Sequence, residues 1–169
     1  LPVGSRAVDM ARIEAGFIQT NTDFMAAETV AHISRRRSPF ELGLDWLVDF
    51  GKGHFNGRRA LLRERETGPR YRVVGLDIEG NKPAMDALIY KGRARKVGFV
   101  TSAIWSPTAK RNIAIATLDA AYAGQAEGLW AEIYVNKELK WDKTVTRCRV
   151  VERPFYNPPR RRATPALDF

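Results

Sequence analysis

Arg72-Val73-Val74-Gly75-Leu76-Asp77-Ile78-Glu79 sets Val74, Leu76 and Ile78 on one side of an extended chain, because successive side chains of a strand point to opposite faces. Similar segments return at turn-separated intervals, over residues 87–90, 97–104, 112–118, 129–135 and 141–151. In the last of them Thr146, Cys148 and Val150 share one face, and Arg147 and Arg149 take the other. Six short strands in succession predict a small antiparallel barrel or sandwich.

Upstream of this run the periodicity is different. Ser5 is a candidate N-cap for a helix reaching about residue 15, and Gly16 is its stop. At 100° per residue, Ala7, Val8, Met10, Ala11, Ala15 and Phe17 fall on one broad apolar arc, and Glu14 lies in its middle. A carboxylate on a core-facing stripe is costly unless it is paired, protonated or lining a site. Glu14 is therefore the first residue that asks for a functional explanation. A short helix is expected around residues 24–33. Leu44, Trp46, Val48 and Phe50 alternate as a half-buried strand would, and a glycine-punctuated connector over residues 51–57 leads to a helix over about 58–67, ended by Gly68-Pro69.

The whole chain has 169 residues, of which 44% are hydrophobic and 28% charged, enough for a folded core and too apolar for disorder. One cysteine excludes a disulfide framework, and two histidines, His32 and His54, cannot build a three-histidine metal site. No metal ligands are expected. No apolar stretch is long enough to span a membrane and no signal-peptide pattern opens the chain, so a cytoplasmic location is the default expectation. The sequence does not begin with Met and reads as a fragment. Its net charge of +9 is uneven: residues 1–70 carry 11 Lys/Arg against 9 Asp/Glu, and residues 71–169 carry 17 against 10. Arg35-Arg36-Arg37 and Arg160-Arg161-Arg162 form two basic runs, readable either as solvated loops or as attraction for an anionic ligand. Cys148, on an apolar strand face, reads as an inert buried thiol, and His54 as a surface or structural residue.

Several segments stand together in order. They are Arg12-Ile13-Glu14-Ala15-Gly16; Trp46-Leu47-Val48, followed by Lys52-Gly53-His54-Phe55-Asn56-Gly57-Arg58-Arg59-Ala60-Leu61; and Val73-Val74-Gly75-Leu76. Val97-Gly98-Phe99-Val100-Thr101-Ser102, Trp105-Ser106-Pro107, Asn112-Ile113-Ala114 and Pro154-Phe155 continue the series. The set resembles the C-terminal half of the glycine-cleavage T-protein, or aminomethyltransferase-like, family. That resemblance implies an α+β chain: the C-terminal part of a folate-binding α/β domain over residues 1–69, a small antiparallel β-barrel or sandwich domain over 70–156, and a basic tail over 157–169.

It further implies a fragment of a tetrahydrofolate-dependent transferase that moves a methyl or aminomethyl group from an N-, S- or O-linked donor to tetrahydrofolate. The family's catalytic Asp belongs to the N-terminal half, so no catalytic residue is expected in this chain and activity alone is not. Glu14 is implied to accept hydrogen bonds from the pterin edge, the alternative being a core Glu paired with Arg12 or Arg58. Lys52 is implied to lie near the carboxylates of the folate tail, with a solvated Lys as the equal alternative. Trp46 and Phe55 read as core, and Ser102 and Ser106 as turn chemistry at a strand corner. The partners implied are folate, a small one-carbon donor and the N-terminal half of the same enzyme. Self-association through exposed half-domain surface is a further expectation; no membrane and no nucleic acid is.

Departures from the family pattern bear on the donor. The approach to Arg12, the Ala84-Met85 pair after Pro83, His54 in place of an Asp and the extra residues 29–38 resemble the broader group that includes the folate modules of sarcosine and dimethylglycine dehydrogenases and folate-dependent demethylases. A branch acting in tRNA modification and iron–sulfur repair carries a Cys where His54 stands. Two alternatives stay open: a non-catalytic basic barrel that binds nucleic acid, which would show aromatics interleaved with cations on one sheet face, and a docking domain of a flavin-dependent dehydrogenase. Trp130, Tyr134 and Lys137, with Glu132 between, show the first of these marks only weakly.

Overall fold

The structure is a computed structural model and describes residues 2–32, 35–92, 94–124, 127–161 and 163. Among these residues α1 (Ser5–Glu14), α2 (Pro39–Leu42) and α3 (Arg58–Thr67) precede β1 (Tyr71–Ile78), β2 (Leu88–Lys91), β3 (Arg95–Ser106), β4 (Arg111–Asp119), β5 (Leu129–Lys137) and β6 (Lys140–Val151). The strands close into a barrel in the order β1-β4-β3-β2-β5-β6, every neighbouring pair antiparallel. Of barrel and sandwich, the chain forms the barrel. β2, β3 and β4 make a meander, β5 and β6 a hairpin, and β1 completes the ring between β4 and β6.

Two apolar cores explain the strand patterns. The barrel interior holds Leu76, Ile78, Ile89, Val97, Val100 and Leu118 against the small Ala103, Ala114, Ala116 and Ala131. Large residues opposite alanines suit a narrow six-stranded ring. A second core lies outside the barrel wall, where Ile13 of α1, Leu42 of α2 and Phe155 cover Val73, Ile113 and Ile115. β1 and β4 are thus covered on both faces, which is why residues 73–76 and 112–118 are buried without a break. On β5 only one face is covered, so Leu129, Ala131 and Ile133 are buried and Tyr134 is exposed.

α2 is short but well fixed. Ser38 and Glu41 form a reciprocal capping box, Pro39 occupies the first turn, and Gly43 ends the helix at φ 72°. These caps hold Leu42 against β1.

Three expectations are corrected. Residues 44–50 are not a strand: Asp45–Leu47 is a 3₁₀ turn, with Trp46 75% exposed and Leu47 60% exposed. A closed barrel offers no free edge for another strand to pair with, so the alternation there has nothing to act on, and Trp46 is not core. Residues 24–32 form turns rather than a helix, because Asp23 takes the Gln19 backbone N–H, Asn21 has φ 64° and Phe24 bridges to Thr20. Ile33, and Arg162 of the basic tail, lie outside the described residues. On α1 the buried anchor is Ile13, whereas Val8 and Phe17 are 57% and 65% exposed. The helix meets the barrel along an edge of the apolar arc.

Candidate functional site

In Arg12-Ile13-Glu14-Ala15-Gly16, Arg12, Ile13, Glu14 and Gly16 each have their own task in the fold. Ile13 is fully buried and pins α1 to β3 and β4. Gly16 ends the helix at φ 73°, with its N–H donating to the Ile13 carbonyl and the Phe17 N–H to the Arg12 carbonyl. A Cβ at Gly16 would stand 2.8 Å from Arg153 Cβ, so this turn also admits the segment after β6.

Arg12 turns away from Glu14. Its Nε donates to Asp9 at 2.7 Å, Nη1 to Asp23 at 2.8 Å and Nη2 to Ser102 Oγ at 2.8 Å. Asp23, with its side chain fully buried, also accepts from the Gln19 N–H, Thr101 Oγ1 and Ser102 Oγ. This knot ties α1 and the 17–24 turn to the irregular point of β3, where the β3–β4 register shifts between Val100 and Ser102. Ser102 is therefore part of a buried polar tie rather than turn chemistry.

Glu14, half-buried at the last turn of α1, receives a hydrogen bond from Ser106 Oγ at 2.5 Å on Oε1. Ser106 is fully buried at the end of β3, and its Oγ accepts the Ala109 N–H at 2.9 Å. That second bond is the turn chemistry the sequence predicts. The Glu14 carbonyl accepts the Tyr156 N–H at 3.1 Å, so the end of β3 and the segment after β6 both meet α1 at this residue. Arg58 does not pair with it either: its Nη2 donates to the Phe50 carbonyl at 3.2 Å. Among the described residues no protein donor occupies Glu14 Oε2.

Lys52 sits in a different cluster. It is exposed, with Nζ 4.8 Å from the Phe55 ring centroid; the Phe55 ring lies 6.3 Å from that of Phe50, which lies 6.4 Å from that of Phe40. Phe55 is half-buried and His54 exposed. Glu14 and Lys52 make no contact with each other among the described residues.

The outer face of β5–β6 carries Trp130, Tyr134 and Trp141 beside cations. Arg147 lies 5.5 Å from the Trp130 ring centroid and Lys143 5.9 Å from that of Tyr134. Glu132 is held by Lys143 at 2.6 Å and by Tyr134 OH at 2.6 Å. The Lys143 hydrogen bond, first among the causes, keeps the Glu132 carboxyl below its usual range.

Cys148 is buried, and desolvation pushes its thiol up to about 12. A thiol that titrates so high stays protonated and unreactive at neutral pH. In native buffer at pH 8 an aromatic disulfide reagent is expected to leave it unmodified, and in urea to modify one thiol per chain. Rapid native modification would contradict the burial. Among the described residues no group of three His, Cys, Asp or Glu side chains gathers as metal ligands would.

Residues 72–157 match the glycine cleavage T-protein C-terminal barrel domain. An aminomethyltransferase of Synechococcus sp. (strain CC9902) is 38% identical over 159 residues, 94% of this chain and 39% of that protein. One of Thermoanaerobacter sp. (strain X514) is 33% identical over 140 residues, 82% of this chain and 35% of that protein. The crystal structure of glycine cleavage system aminomethyltransferase T from Bartonella henselae superposes with a TM-score of 0.70 at 23% identity, over 91% of this chain and 39% of that one. At that identity the superposition speaks for the fold. The chain spans less than two fifths of the length of these relatives.

Proposed function

The chain belongs to the glycine cleavage T-protein family through its C-terminal barrel, and from that premise we propose that it is the C-terminal part of a tetrahydrofolate-dependent one-carbon transferase. In this reading residues 1–69 complete a folate-binding domain, residues 70–156 form the barrel and residues 157–169 a basic tail. The observation that carries it is Glu14. One carboxylate oxygen is anchored by Ser106, and the other has no protein donor among the described residues. An acceptor held at one end and open at the other fits the paired N–H donors of a pterin edge, where charge-assisted bonds are strong. Lys52, an exposed cation beside aromatic rings, suits the carboxylates of the folate tail.

Tetrahydrofolate, when bound, supplies the N5 nitrogen that accepts the one-carbon unit. The residues of this chain bind and orient: Glu14 fixes the pterin edge, and the barrel excludes water from one side of the site. The catalytic carboxylate is assigned to the N-terminal part of the enzyme, and the donor is a small molecule with its one-carbon group on N, S or O.

The test is calorimetric titration of tetrahydrofolate, or its 5-formyl derivative, into this chain and into the chain rejoined to its N-terminal part. Glu14→Ala is expected to cost about 1.5–3 kcal/mol of binding, the scale of a hydrogen bond to a charged group. If neither protein binds folate, the proposal fails. Salt-sensitive binding of a single-stranded oligonucleotide would then favour the basic-barrel alternative, through the Trp130–Arg147 and Tyr134–Lys143 face.

A further inference from the structure

We infer that Ser106 is a positioning residue for the Glu14 carboxylate and thereby for the pterin; this rests on the folate reading of Glu14 above. A serine hydroxyl has one proton to donate and lone pairs to accept with. The Ala109 backbone N–H can only donate, and it does so to Ser106 Oγ at 2.9 Å. The single hydroxyl proton is therefore available for Glu14 Oε1, which lies at hydrogen-bond distance. The direction of the bond is set by the turn: Ser106 donates and Glu14 accepts.

The surroundings make this an orienting contact. Ser106 is fully buried at the end of β3, and the turn that follows it is closed by the same oxygen. On the other side, the Glu14 backbone is fixed by the Tyr156 N–H and by the fully buried Ile13 one residue earlier. With its main chain pinned and one carboxylate oxygen held, Glu14 keeps few rotamers. Oε2 is then presented in one arrangement before any ligand arrives, so the ordering cost falls on folding and not on binding. Ser106 touches no folate atom in this scheme. It acts through Glu14 alone, and the pair lies 92 residues apart in the chain.

A double-mutant cycle on tetrahydrofolate affinity tests this, run in the full-length enzyme that carries the chain, with thermal unfolding followed in parallel. Ser106→Ala is expected to weaken binding about five- to tenfold, the effect of one net hydrogen bond. In a Glu14→Ala background the same change is expected to alter affinity by less than about twofold, because the group it orients is gone. Ser106→Cys fills the space with a weak donor and is expected to behave like Ser106→Ala in affinity while disturbing the turn less.

An equal loss in both backgrounds would mean that Ser106 acts through the β3–β4 turn, and would overturn the inference while leaving the role of Glu14 intact. Undiminished binding by both Ser106 variants would also overturn it. Folate binding that Glu14→Ala does not weaken would remove Glu14 as the ligand residue, and the inference with it. Absence of folate binding by the parent enzyme would defeat the functional reading itself.

Discussion

Gly98→Ala is expected to destabilise the barrel by about 3 kcal/mol or more, at the upper end of what overpacking a core costs. A Cβ at this position would stand 2.2 Å from the Thr117 carbonyl oxygen, 2.5 Å from Leu118 Cδ2 and 2.9 Å from Leu118 Cα. Two of these neighbours are backbone atoms of β4, so no rotamer change relieves the clash. β3 and β4 would have to separate by about an ångström, at a place where Gly98 and Leu118 are register partners and Leu118 is fully buried. For a chain of this size the loss translates to a melting temperature lower by roughly 6–12 °C. Gly124→Ala is the control: nothing lies within 4 Å of its Cβ, and a change within about 0.5 kcal/mol is expected. Thermal unfolding followed by circular dichroism decides it. Equal melting temperatures for the two variants would show that β3 yields without cost.

That close approach gives a physical meaning to the glycine in Val97-Gly98-Phe99-Val100-Thr101-Ser102, which the sequence marks only as a resemblance. Much of the barrel was legible in the same way. Strands over 72–79, 97–104 and 129–135 were readable because alternating apolar residues between turn signals have few other uses, and their observed bounds differ from the expected ones by two residues or fewer at each end. Alternation misleads where no partner exists. Leu44, Trp46, Val48 and Phe50 have the same period as β5, yet a ring already closed by β1 leaves them no ladder to join. On α1 the helical period marks an apolar arc but not which edge of it meets the barrel: Ile13 is fully buried, whereas Val8 and Phe17 are exposed.

The candidate site divides along the same line. Glu14 is legible locally, since an acid among apolar helix positions stands out against its neighbours. Its partner is not, because Ser106 comes from the far end of β3, and nothing in the spacing of the two residues marks the contact. Asp23 was silent altogether. It sits in a polar stretch with no periodicity, and its meaning arises only when the turn is laid against β3, 78 and 79 residues further on at Thr101 and Ser102.

Asp23→Ala is accordingly expected to cost about 3–5 kcal/mol, the range for breaking a buried ion pair by removing one partner. The carboxylate, with its side chain fully buried, accepts from the Gln19 N–H at 2.8 Å, Arg12 Nη1 at 2.8 Å, Thr101 Oγ1 at 2.6 Å and Ser102 Oγ at 2.7 Å. An ionised carboxylate has about four acceptor sites, and all are in use. Without it, Arg12 keeps, among the described residues, Asp9, Ser102 and the Phe17 carbonyl as partners, with its side chain 14% exposed. Arg153 is also affected: burial lowers its pKa and the Asp23 charge opposes that shift, so removing the charge leaves a second guanidinium less compensated. The loss should fall first on the seating of α1, because Arg12 shares with Ile13 and Glu14 its attachment to β3 and β4, and amide exchange in α1 is expected to rise before that of the barrel strands. Urea unfolding measures the total. The double variant Arg12→Ala/Asp23→Ala is expected to lose less than the sum of the two single changes, since neither partner of the pair is then left buried without the other. Strict additivity, or a loss below about 1 kcal/mol for Asp23→Ala, would mean that water replaces the carboxylate and that Ile13 and the Glu14–Ser106 contact suffice to seat α1.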